Sequence, residues 1–300
     1  MACTENRIKH PLSDRSKTIV QTLTTTPSND WQLVDSIPLQ FDTYHPQGIV
    51  KVGEEFYLTS VKTERRPKYS RKGKEIKVAD EGSGKGYLFR FNTQGQLLQT
   101  IELWDKTMFH PGGMDFDGKY IWIPVTKYYP YSRSFIARVD ICTHQIEKIG
   151  YVDDSVGAII YNPDDNTLIG ANWNADEFIT WNLDEHSQII NPTLPIEQRR
   201  TLNADKHLAI QDAKYIGNYI LLGFGLKTGS KGIIGGFDLI DTRTFKQIYS
   251  GDIALRTPKH QVIVTGNPST IEIKEKVLRF YFAPKDNQTT VYIYETKLVE

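Results

Sequence analysis

Short apolar runs alternate with polar positions along most of the chain, and Gly, Asn, Asp or Pro interrupts nearly every run. A period of two argues for strands, and the interruptions argue for tight turns. Trp31 to Ile37 is the first such run. A unit of strands follows at Ile49–Val52, Phe56–Val61, Tyr87–Phe91 and Leu97–Ile101. Its last two strands meet across Asn92-Thr93-Gln94-Gly95, where Asn and Gly accept left-handed turn conformations. The unit recurs at Met114–Tyr151, Ile159–Leu183 and Tyr219–Tyr249. A last copy, Ile271–Tyr294, ends one strand short.

The openings of the units are related. His45-Pro46-Gln47-Gly48 returns as His110-Pro111-Gly112-Gly113. Asp154-Ser155-Val156-Gly157-Ala158, Gln211-Asp212 and Asn267-Pro268 occupy the corresponding places. The spare strand before the first unit supplies what the last one lacks. This predicts an all-β fold, a five-bladed β-propeller whose N-terminal strand completes the last blade and so removes two sheet edges. The expected blades are 45–103, 110–152, 154–190, 207–253 and 267–297 plus 30–40. Residues 1–29 read as a loose N-terminal tail with room for a short helix, and 30–300 as one propeller domain. A β-sandwich with a second domain is the rival architecture.

Composition narrows the function classes. Lys+Arg and Asp+Glu both number 36, so net charge selects no polyanionic partner. Cys3 and Cys142 are far apart and lack metal-motif spacing, so neither a disulfide nor a cysteine metal site is expected. There is no apolar leader and no membrane-length apolar run, which gives a cytoplasmic protein without membrane partners as the expectation.

In a propeller the residues opening each blade converge at one end of the central channel, and the loops between second and third strands overhang them. The convergent set is His45, Gln47, His110, Asp154, Gln211, Asp212 and Asn267. Polar groups gathered in a concavity are the default site. His45 and His110 are candidate acid–base groups, since imidazole titrates near neutrality, and Asp212 or Asp154 would orient them. In the overhanging loops Arg133 could grip an anion, Tyr128 offers an aromatic face, and Trp173 could stack on a flat or sugar-like ligand. Two His and a carboxylate could also hold a divalent metal, although no cofactor is evident. The opposing reading makes each His-Pro a bend at a strand entry. The basic run from Glu64 to Lys77 suits either an anion patch or a solvated, mobile hairpin. With Tyr69 alone for stacking, nucleic acid is not expected.

The motifs carry a resemblance. His-Pro-Gln-Gly, His-Pro-Gly-Gly-Met-Asp-Phe-Asp-Gly-Lys-Tyr-Ile-Trp-Ile-Pro-Val and the run Tyr129 to Ser134 resemble a bacterial family of uncharacterised five-bladed propellers, over roughly residues 30–295. The third unit departs from that family at Asp154–Ala158, where a double glycine is expected. The resemblance implies a fold and no activity. The chain is also distantly similar to five-bladed glutaminyl cyclotransferases through Gln47-Gly48. The acidic Gly-Glu-Gly of that family is Gly112-Gly113 here, without the carboxylate, which argues against cyclotransferase activity. Two functions stay open. One is an enzyme of hydrolase, lyase or transferase type acting on a small polar or anionic molecule at the channel mouth. The other is a non-catalytic ligand- or protein-binding propeller. A monomer with a small-molecule ligand is expected in the first case.

Overall fold

The computed structural model describes residues 12–173, 175, 177–190, 208–229 and 232–299. The chain opens on helix α1 (Leu12–Thr25), followed by strand β1 (Gln32–Pro38). The first blade is β2 (His45–Val52), β3 (Glu55–Arg65), β6 (Ser83–Asn92) and β7 (Leu97–Glu102), with the hairpin β4 (Lys68–Lys72) and β5 (Glu75–Asp80) inserted. The second is β8 (Met108–Pro111), β9 (Asp115–Phe116), β10 (Tyr120–Lys127), β11 (Ser134–Asp140) and β12 (Ile146–Val152). The third contains β13 (Val156–Asn162), β14 (Thr167–Asn172) and β15 (Phe178–Asn182). The fourth is β16 (Ala209–Tyr215), β17 (Ile220–Gly229), β18 (Gly232–Asp241) and β19 (Gln247–Ile253). The fifth is β20 (Ser269–Lys274), β21 (Val277–Phe282) and β22 (Thr290–Lys297), and β1 pairs antiparallel with β22. The five-bladed propeller and its closure by the first strand are as the repeats predict.

The core lies between blades. Phe56, Leu58 and Phe91 of the first blade pack with Tyr281 and Ile293 of the fifth. Trp122 and Ile136 of the second pack with Ile159 and Trp181 of the third. Alternation along each strand serves both faces of its sheet, which explains the high aromatic and β-branched content.

Two expectations are corrected. Residues 12–25 are not a loose tail. Ser16, Ile19, Thr22 and Leu23 recur at helical spacing and are all buried, and Ile19 and Leu23 pack with Phe224 and Phe280 across the fourth and fifth blades. Ser16 Oγ donates to the Gly217 carbonyl at 3.1 Å, and Thr22 Oγ1 accepts the Val299 N–H at 3.1 Å. The segment reads as polar because small hydroxyl residues share its inward face. The second correction concerns Cys142, which is disulfide-bonded; Cys3 lies outside the described residues.

The inner strands meet at the axis around small residues. β2, β13 and β16 each carry a bulge, after Pro46, Val156 and Ile210. A bulge inserts one extra residue and re-aims those that follow. Past it come Gly48, Ala158 and Asp212, and in the second blade Gly113 bridges Ala158. A Cβ on Gly48 would lie 2.9 Å from the Gly112 carbonyl and 2.9 Å from the Met114 nitrogen. A Cβ on Gly113 would lie 2.9 Å from Asp212 Oδ1. The glycines of the two His-Pro motifs are therefore spacing residues at the axis. Replacing Gly48 or Gly113 by Ala is expected to destabilise the fold by about 1–3 kcal/mol through overpacking, measured by chemical denaturation. Wild-type midpoints in both variants would contradict this packing.

Candidate functional site

The residues that open the blades divide into two layers. His45 starts β2, His110 lies in β8, and Asn267 precedes β20. Further along those strands, backbone N–H groups turn inward onto one carboxylate. Asp212 is fully buried. Its Oδ2 accepts from Ile49 N at 3.0 Å and Ser269 N at 3.2 Å. Its Oδ1 accepts from Met114 N at 3.1 Å, Ala213 N at 3.0 Å and Lys214 Nζ at 2.6 Å. Lys214 Nζ also donates to the Met114 carbonyl at 2.7 Å. Burial pushes the Asp212 carboxyl upward, while Lys214 and the backbone donors oppose it. Five donors demand an acceptor-only group, so we read it as the carboxylate. Asp115 extends the same layer, accepting from Tyr215 N at 3.0 Å.

Above this floor the two histidines stand with ring centroids 6.3 Å apart. His45 Nδ1 lies 2.7 Å from Asp286 Oδ1. Asn267 Nδ2 donates to the Pro284 carbonyl at 3.1 Å and to Asp286 Oδ1 at 3.3 Å, which fixes the carboxylate. Burial alone would raise the Asp286 carboxyl, but the hydrogen bond to His45 holds it below its ordinary value. His110 stacks on Tyr128 with centroids 4.3 Å apart, and Trp173 lies 5.5 Å from both rings. Burial, reinforced by the neighbouring His45, holds the His110 imidazole down to about 3.

A pocket of about 340 Å³ opens here, lined by Tyr44, His45, Lys62, Arg66, Tyr128 and Asp286, among others. Lys62 Nζ lies 5.2 Å over the Tyr44 ring. Among the described residues Arg66 has no hydrogen bond or ion pair. Tyr44 has φ 49° and Asn287, also in the wall, φ 62°. A bulky residue in the left-handed region is uncommon, and such strain collects at functional sites.

Of the residues predicted from sequence, the structure brings together His45, His110, Asn267, Tyr128 and Trp173. It separates the others. Asp212 has backbone amides and Lys214 as partners instead of a histidine. The Gln47 amide donates to the carbonyl of Pro46 at 2.9 Å and the Gln211 amide to that of Ala209 at 3.3 Å; both sit on bulges. Asp154 is buried, with its carboxylate accepting the Ser155 N–H at 2.7 Å. Arg133 turns outward, with Nε 3.4 Å from Asp153 and its guanidinium 5.1 Å over the Tyr151 ring. Asp286 and Lys62 carry no signal of their own in the sequence, and Arg66 is one of several charges in the basic run read as an anion patch or a mobile hairpin. They lie on the overhanging loops or beside them, where no periodicity marks individual residues. Among the described residues no three His, Cys, Asp or Glu converge as a metal ligand set.

Five successive antiparallel sheets of three to five strands, the last completed by the first strand, with a polar mouth at one end of the channel, define a five-bladed β-propeller. The chain belongs to the family of unknown function DUF6454, whose model matches residues 12–300 and so includes α1. No curated protein sequence matches it. It is similar in structure to a hypothetical protein from Leishmania major, at 10% identity over 94% of this chain and 94% of that chain, with a TM-score of 0.55. Myxococcus xanthus glutaminyl cyclase matches at 10% identity, over 90% of this chain and 97% of that chain, with a TM-score of 0.47. The mannose phosphorylase MPT-4 from Leishmania mexicana matches at 9% identity, over 94% and 93%, with a TM-score of 0.47. At such identities the likeness bears on the fold alone. No helix among the described residues is long and apolar enough to cross a membrane.

The neutral state of His110 has a pH signature. Its folded value lies below the ordinary 6.5, so on acidification the unfolded chain takes up the proton first. The stability tied to this residue is present above about 6.5 and is lost as pH falls toward about 3. His110→Phe should therefore lose less stability than wild type between pH 7 and 4, read as Tm against pH. Parallel profiles would show that His110 is not held neutral by burial.

Proposed function

We propose that the channel mouth binds a small anionic molecule and that His45 transfers a proton to or from it. The contact between His45 and Asp286 in the pocket wall carries this reading. With Nδ1 engaged by a carboxylate, Nε2 is the ring nitrogen left for a ligand, and an imidazole oriented in this way can exchange a proton with it as a general acid or base. Asn267 restrains Asp286, so the pair keeps its geometry before a ligand arrives. Arg66 supplies the anion contact. Its guanidinium has no hydrogen bond or ion pair among the described residues, although its charge acts on Asp286 and Tyr128; it offers a two-bond fork to a carboxylate or phosphate, and Lys62 adds a second positive charge. His110, packed between aromatic rings and kept neutral, contributes a polar edge without a competing charge. Proton transfer of this kind serves hydrolase, lyase or transferase chemistry. Arg66 takes the role first given to Arg133, and Asp286 the role first given to Asp212.

The test is a thermal-shift screen with small mono- and dicarboxylates and phosphate esters, since a native-state ligand raises Tm. At least one anion should stabilise the protein, and Arg66→Ala should abolish that shift. Asp286→Asn should keep the shift and lower turnover of the converted ligand by roughly 10²–10⁴-fold. Stabilisation without turnover favours the non-catalytic binding propeller. A flat response to every anion overturns the reading.

A further inference from the structure

The basic run between β3 and β6 is docked, in contrast to the mobile hairpin expected from its charge. Its register pairs Tyr69 with Val78 and Arg71 with Ile76, which places these four on one face. Ser70, Lys72, Glu75 and Lys77 share the other. The first face meets the loop after β10. Tyr69 and Tyr129 have ring centroids 6.0 Å apart. The Arg71 guanidinium lies 5.3 Å over the Tyr131 ring, with Nη2 3.4 Å from its hydroxyl. At the root, Arg65 pairs with Asp80, and Glu81 pairs with Lys127 and accepts from the Tyr129 hydroxyl at 3.1 Å.

The tip reaches further. Lys74 Nζ lies 5.6 Å over the Tyr131 ring and forms an ion pair with Glu177, a largely buried residue of the third blade. Glu177 lies in the β14–β15 connection, where its N–H donates to Asn172 Oδ1 at 3.2 Å. Trp173 belongs to the same connection. The hairpin thus runs from the first blade across the second to the third. It is a separate two-stranded sheet, with no backbone ladder to any blade among the described residues. The loop under it carries Tyr128, which covers His110, and Arg66 sits at its root beside the pocket.

We propose that the β4–β5 hairpin is a strap that opens and closes over the channel mouth, with the Lys74–Glu177 ion pair as its latch. It rests on reading that mouth as the functional site. Among the described residues side-chain contacts alone hold the strap beyond its root, so it can lift without breaking a blade. Its aromatic face seats on the loop when closed, and its lysine face stays in water throughout. Releasing the latch frees both elements that enclose His110, the Tyr128 loop and the Trp173 connection. A ligand whose anion engages Arg66 draws on the strap at its root and so couples binding to closure.

Carbethoxylation of His110 by diethyl pyrocarbonate, followed by peptide mass spectrometry, tests this without any ligand. The exposed His186 and His260 serve as internal references. Lys74→Ala and Glu177→Gln should each raise the His110 modification rate at least several-fold over wild type and leave the references unchanged. The double variant K74E/E177K, which restores the pair with reversed charge, should return the rate toward wild type. Raising salt should accelerate modification in wild type and have little effect in Lys74→Ala, because screening acts on the latch. Equal His110 rates in wild type, both single variants and the double variant overturn the strap. Because the readout is access and not turnover, a strap that passes this test while no anion binds would retire the functional reading alone.

Discussion

One carboxylate closes the ring. Asp212 occupies the axis where other blades bring Gly48, Gly113 and Ala158, and it receives N–H groups from the first, second, fourth and fifth blades. The third blade joins through Gly113, which donates to the Gly157 carbonyl and accepts from Ile159. Inner strands of a propeller converge with their edges unpaired, and unpaired buried amides are costly. A single acceptor with several lone pairs, neutralised by Lys214, answers that cost for most of the ring. The small neighbours give it room, and the bulges aim it inward.

This fastening sets the height of the candidate site. Because Ile49, Met114 and Ser269 are bound at the floor, the residues upstream of them in their chains rise around the mouth. His45, His110 and Asn267 thus stand together without contacting the axial carboxylate. The site proper is completed from the periphery, by Asp286 and Arg66 and by the loops of Tyr128 and Trp173. A rigid ring supplies position and the overhanging loops supply chemistry, the usual division between scaffold and loop.

Much of the fold was legible in the sequence because its signals are local. Strand alternation, the Asn–Gly turn and the recurring His-Pro opening each belong to one blade, and the spare strand at Trp31 followed from the short fifth unit. The convergence of His45 with His110 followed from symmetry. The remainder depended on three-dimensional detail. Gln211 is a bulge residue, and one inserted position turns Asp212 from the mouth to the axis, as a register shift reverses the facing of a strand. Arg133 and Arg66 look equivalent as loop arginines, and only the paths of their loops send one to Asp153 and leave the other at the pocket. The docking of helix α1 was hidden because Ser16 and Thr22 fill an inward face that hydropathy counts as polar.

Asp212 holds the ring, and Asp286 belongs to the proposed site. Urea denaturation of Asp212→Asn beside Asp286→Asn separates them. The first substitution places an amide N–H against backbone donors and leaves Lys214 without its counter-charge. Asp212→Asn should lose about 3–5 kcal/mol, the scale of a broken buried ion pair, with Asp286→Asn close to wild type. An Asp212→Asn protein that unfolds at the wild-type urea concentration would contradict this role.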